Sequence, residues 1–77
     1  MDIKVLGSGC AKCKTLEKVT LEAVQELNLD ATIEKIEDIQ KIVEYGVMFT
    51  PALVVDGEVV VKGRVPKLDE VKTILNK

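Results

Sequence analysis

Cys10 and Cys13 are the only cysteines among 77 residues, and they stand in the sequence Cys10-Ala11-Lys12-Cys13. Two thiols with two residues between them can close a disulfide within one chain and open it again. The spacing suits thiol–disulfide exchange, in which one sulfur attacks and the other resolves the mixed disulfide. What precedes and follows the pair strengthens this reading. Asp2 to Leu6 has the apolar content of a short strand, Gly7-Ser8-Gly9 breaks it, and a helical pattern begins at about Lys12. A cysteine at a helix N-terminus lies among free N–H groups and the positive end of the helix dipole, which favours the thiolate. Cys10, at the mouth of the helix, gains most, and Cys13 lies a turn further in. Lys12 and Lys14 add positive charge beside them. The plain alternative is a pair of small buried core residues with no chemistry.

The elements that must hold this pair can be read from periodicity. Leu16, Val19, Ala23 and Leu27 share one face of a helix that runs to Asn28. Ala31 to Ile36 alternates as a strand. Asp38 suits the N-cap of a second helix, with Ile39, Ile42 and Val43 as its buried stripe and Gly46 as its stop. Ala52 to Val55 is an unbroken apolar run, Asp56-Gly57 is a type I′ hairpin signal, and Glu58 to Lys62 is the returning strand. Pro66 fits a first helical turn, and Leu68, Val71, Ile74 and Leu75 mark a last helix. The order is βαβαββα, an α/β fold in one domain spanning residues 1–77. The crossover makes the first two strands parallel, and the last two form an antiparallel hairpin.

Composition sets the bounds. Val, Ile and Leu together make 26 of the 77 residues, enough for one aliphatic core. Tyr45 and Phe49 are the only aromatics, too few for a base-stacking platform. The net charge of −2 supplies no basic field for nucleic acid or an anionic membrane. No apolar run has the length of a membrane span, and the N-terminus passes directly into a strand pattern rather than a signal peptide. A cytoplasmic protein is expected, and in the cytosol a close cysteine pair points to catalysis or metal rather than to a structural bridge.

The pattern as a whole resembles the thioredoxin superfamily. A CxxC follows the first strand, and Thr50-Pro51 opens the hairpin in the stretch Tyr45 to Gly57. Gly9 to Cys13 and Gly63-Arg64-Val65-Pro66 look more closely like the small, glutaredoxin-sized redox-active disulfide proteins of archaea and bacteria. The resemblance implies a thioredoxin fold, a four-stranded mixed sheet of order 2-1-3-4 with helices on both faces. It implies Cys10 as nucleophile, Cys13 as resolving thiol and Pro51 as a cis-proline facing them. It implies Ala11, Lys12, Thr50, Pro51 and Gly63 as substrate-binding positions, with the Thr50 backbone pairing to an extended client segment. Partners are then protein disulfides and a thioredoxin-reductase-like electron donor, with no cofactor and a monomeric chain. Where thioredoxins carry a buried acid six positions before the first cysteine, an ungapped count reaches Lys4.

Two surface features are expected beside the pair. Lys62 and Arg64, with Lys12, are candidates for a basic rim facing an acidic partner, and Met48 and Phe49 for an apolar docking patch or for core. The rival function is metal handling through the same CxxC, as a Cu(I) carrier or a bridged Fe–S cluster. Copper-carrying ferredoxin-like domains run βαββαβ, whereas here a helix is expected before the hairpin and another at the end. Structural zinc needs four ligands, and the chain has two cysteines and no histidine. Lys14 stands where haem attachment needs histidine.

Overall fold

The computed structural model describes residues 1–7 and 11–76. The Ser8-Gly9 part of the strand break and Cys10, the expected nucleophile, lie outside them. The elements are β1 (Asp2–Leu6), α1 (Ala11–Glu26), β2 (Thr32–Ile36), α2 (Ile39–Glu44), β3 (Ala52–Val55), β4 (Glu58–Lys62) and α3 (Leu68–Leu75). They form a four-stranded sheet of order β2-β1-β3-β4. β1 and β2 are parallel, and β3 runs antiparallel to both β1 and β4.

Alternation along β1 sorts its side chains to two layers. Ile3 and Val5 join Leu16, Ala23 and Val24 of α1, Val71 and Leu75 of α3, and Leu53 and Val61 of the hairpin. Leu6 joins Ile36, Ile42, Val47, Ala52 and Val54 on the other face, beneath α2. Both layers are aliphatic. Burial of the apolar area removed from water, at about 25 cal/mol per Å², is the main force that holds them.

Local chemistry ends the elements where they end. Asn28 takes a left-handed φ of 53° after α1. Leu29 N–H then donates to Val24 O at 3.0 Å and Asn28 N–H to Gln25 O at 3.1 Å. These are the paired bonds of a Schellman stop, and Val24 and Leu29 add its apolar contact. The Asp38 side chain accepts from Gln40 N–H at 2.9 Å and caps α2. Gly46, at φ 78°, closes α2. Asp56 and Gly57, with φ of 50° and 84°, form the primed turn of the β3–β4 hairpin.

Three details differ from the sequence reading. Ile42 of α2 is buried, but Ile39 and Val43 are 69% and 60% exposed. α2 has only six residues, so one column of side chains reaches the sheet and its neighbours are left outside. Pro66 lies before α3 rather than in its first turn, because Lys67 is the extended cap residue. The proline ring is instead packed in the interior, below 2% exposure. Finally, the β3–β4 register shifts between Leu53 and Val54, where Leu53 pairs with Val61 and Val54 with Val59. Val60 is the extra residue of a bulge, and both Val60 and Val61 pack toward α1 and α3.

Candidate functional site

Strand register gathers the candidate residues at one end of the sheet. Leu6 pairs with Ala52, and Ala52 pairs with Lys62. The end of β1, the start of β3 and the end of β4 are therefore neighbours. One step beyond each lie Gly7, Pro51 and Gly63. Gly63 N–H donates to Pro51 O at 2.9 Å and carries the ladder one bond further. The Thr50–Pro51 peptide is cis. Pro51 is buried, whereas Thr50 and Gly63 are exposed.

Cys13 joins this end from above, in the first turn of α1. Its side chain is 2% exposed and lies directly over Gly7: a Cβ built on Gly7 would fall 2.2 Å from Cys13 Sγ. The first turn of α1 has no acidic residue, so no carboxylate in it opposes a thiolate at the positive end of the helix. Ala11, Lys12 and Lys14 are exposed around it. Cys10 is the residue that precedes α1 in sequence and lies outside the described residues.

The loop before Pro51 is apolar and open. Met48 and Phe49 are 88% and 73% exposed, which settles them as surface rather than core. Ile39, Ile42, Val43, Val47, Met48 and Thr50 line a groove of ≈ 460 Å³. Phe49 also touches the far side of the site, since a Cβ on Gly63 would lie 3.3 Å from Phe49 Cβ.

The basic rim is corrected in part. The Arg64 guanidinium is held by Glu70 of α3 through two hydrogen bonds, one of them Nη1 to Oε1 at 2.9 Å. The hydrogen bond from Arg64 holds the Glu70 carboxyl below its ordinary range, and Glu70 raises the guanidinium in turn. Arg64, though exposed, is thus offset by an intramolecular carboxylate, and Lys62 and Lys12 are exposed as well. Lys4, where the ungapped count falls, lies in the middle of β1. It alternates with Ile3 and Val5 and so faces away from α1, and its Nζ donates to Asp2 Oδ2 at 2.8 Å. That bond raises its pKa above the ordinary lysine value.

Gly7 is the residue that the sequence does not single out, since there it figures only as part of a strand break. Its placement two residues before Gly9 carries no signal of the sulfur above it.

Among the described residues no cluster of three or more His, Cys, Asp or Glu side chains is arranged to hold a metal ion. The helix α2 between β2 and β3, and the closing helix α3, give an order unlike the βαββαβ of copper-carrying domains. No described helix is long and apolar enough to cross a membrane.

A mixed sheet of this order, with a cysteine in the first turn after β1 and a cis-proline opening β3, defines a thioredoxin-like α/β protein. Comparison with known proteins agrees. A family model described as a thioredoxin domain matches residues 1–76. The chain is 47% identical over 76 residues to a thioredoxin of Methanothermobacter thermautotrophicus, an alignment that covers 99% of each chain. It is 37% identical over 70 residues to a thioredoxin of Methanocaldococcus jannaschii, covering 91% of this chain and 80% of that one. The chain belongs to the thioredoxin family. Membership supports a function of the thiol–disulfide oxidoreductase type.

Proposed function

We propose that this chain reduces disulfides in client proteins by cycling Cys10 and Cys13 between a dithiol and an intramolecular disulfide. The observation that carries the reading is Cys13: a cysteine buried in the first turn of a 16-residue helix and seated over Gly7, the residue that follows β1. Cys10 stands three positions earlier.

The Cys10 thiolate attacks one sulfur of a client disulfide, forms a mixed disulfide and releases the first client thiolate. Cys13 gives up its proton and attacks the Cys10 sulfur. The Cys10–Cys13 disulfide forms, the bond to the client breaks, and the second client thiolate leaves and takes a proton. Two electrons have passed to the client. A reductase of the thioredoxin-reductase class returns them. Thr50, Pro51, Gly63, Ala11 and Lys12 contact the client, with the exposed Thr50 backbone pairing to an extended segment. The chain acts as a monomer in the cytoplasm and uses no cofactor.

The test is thiol counting by mass before and after mild oxidation, followed by turnover of a protein disulfide with a dithiol donor. Loss of two thiols per chain without dimer formation supports the proposal. Intermolecular dimers alone, or no change, would overturn it.

A further inference from the structure

Gly7 is not among the positive-φ glycines of the described chain, which are Gly46, Gly57 and Gly63. Its requirement is space. A Cβ at this position would meet Cys13 Sγ at 2.2 Å and Cys13 Cβ at 2.9 Å, with Cys13 Cα at 4.0 Å. Carbon-sized neighbours rest at about 3.5–4.0 Å, so a methyl group here displaces the sulfur by more than about 1 Å. The backbone cannot retreat freely, because Gly7 N–H donates to Ile36 O at 2.9 Å and continues the β1–β2 ladder. Leu6, fully buried, anchors the residue before it. The parts left to yield are the Cys13 sulfur, which can rotate out of its present χ1 well, and the first turn of α1, because that rotation leaves Cys13 Cβ at 2.9 Å.

We infer that Gly7 is a positioning residue: its missing side chain is the seat that places the Cys13 sulfur for attack on Cys10. This rests on the functional proposal above and deepens it. The step concerned is resolution, in which the Cys13 thiolate attacks the Cys10 sulfur of the mixed disulfide and expels the client thiolate. Sulfur–sulfur bonding is strict in distance, at about 2.03–2.05 Å, so a sulfur moved off its seat resolves slowly and closes a less favoured disulfide.

The test is Gly7→Ala in the full chain, compared with wild type by equilibration against dithiothreitol and thiol counting by mass. The expected result is a folded protein whose disulfide form is at least about tenfold less favoured, which corresponds to a potential about 30 mV less negative. Its mixed disulfide with a small aromatic disulfide should persist at least tenfold longer. A folded Gly7→Ala with wild-type equilibrium and wild-type resolution overturns the inference.

Should Gly7→Ala fail to fold, Gly7→Ala with Cys13→Gly decides. Recovery of the fold supports the seat, because the clashing atoms are gone; continued failure overturns it. A second readout needs no redox cycle. In a Cys10→Ser background, iodoacetamide should alkylate Cys13 at least about threefold faster when Gly7→Ala is added, and an unchanged rate overturns the seat. Absence of any Cys10–Cys13 disulfide in wild type would defeat the functional proposal alone, and this alkylation comparison would still decide the role of Gly7.

Discussion

The amide of Gly63 donates to the carbonyl of Pro51 at 2.9 Å, which locks the end of β4 to the residue that opens β3. The bond lies one step past the Ala52–Lys62 pair. Gly63 reaches it with φ at 75° and with Phe49 Cβ 3.3 Å from where its own Cβ would stand. The backbone conformation disfavours a side chain here, and Phe49 would have to give by a few tenths of an ångström. A left-handed residue with a Cβ costs about 1–2 kcal/mol. Gly63→Ala should therefore lower stability by about that amount, read as a reduced urea midpoint. A midpoint equal to wild type would mean that the loop relaxes without strain.

Exposed and buried apolar residues near the site should separate sharply in their effects. Leu53 is fully buried between α1 and the sheet, whereas Met48 is 88% exposed. Leu53→Ala should cost about 2–5 kcal/mol. Met48→Ala should stay within about 0.5 kcal/mol, as surface substitutions do. Denaturant unfolding of the two variants checks both. A large loss from Met48→Ala would show that the α2 groove is closed by that side chain in solution.

The Arg64–Glu70 pair predicts a specific pH dependence. Glu70 has a carboxyl held below its ordinary value by the hydrogen bond from Arg64. Its contribution to stability is therefore full above the ordinary carboxylate range and disappears as pH falls through the lowered value. The pair is exposed, so the contribution is small and weakens with salt. Wild type should exceed Glu70→Gln slightly in melting temperature at neutral pH and low salt. The gap should vanish below the lowered value. A gap that persists in strong acid would assign the effect to something other than ionisation, such as the polar packing of the side chain.

Much of the architecture was legible because short-range chemistry agreed with the pattern. The Asp56-Gly57 turn, the valine-rich run before it and the capping Asp38 each carry their own local signal, and β1, α1 and the hairpin follow within a residue or two. Exposure of Ile39 and Val43 was not legible. Their spacing from Ile42 fits a buried stripe equally well, and only the shortness of α2 and its placement on the sheet leave them outside. The Val60 bulge and the Arg64–Glu70 pair depend on which residues meet across the fold, which periodicity does not encode. For the site, the CxxC and Thr50-Pro51 stood out by type and order. Gly7 did not, because its role is set by an atom six residues away.

The assignment of roles within the cysteine pair is the most exposed to test. Cys13 is 2% exposed, seated over Gly7 and closed in from the β1 side. A client disulfide must approach the attacking sulfur in line, and a buried sulfur offers no such approach. Cys10 precedes α1 in sequence, next to Ala11 and Lys12, both exposed. The helix N–H groups that follow it are the ones left without partners within the helix. Cys10 is accordingly the expected nucleophile and Cys13 the resolving thiol. Cys13→Ser should accumulate a mixed disulfide on Cys10, because nothing displaces the client. Cys10→Ser should accumulate none and should have no reductase activity. Iodoacetamide rates for the two single variants across pH read the same contrast without a client. The thiol of Cys13→Ser, which is Cys10, should react faster near neutral pH by at least about tenfold. Faster reaction in Cys10→Ser, or clients trapped on Cys13, would reverse the roles and leave the fold untouched.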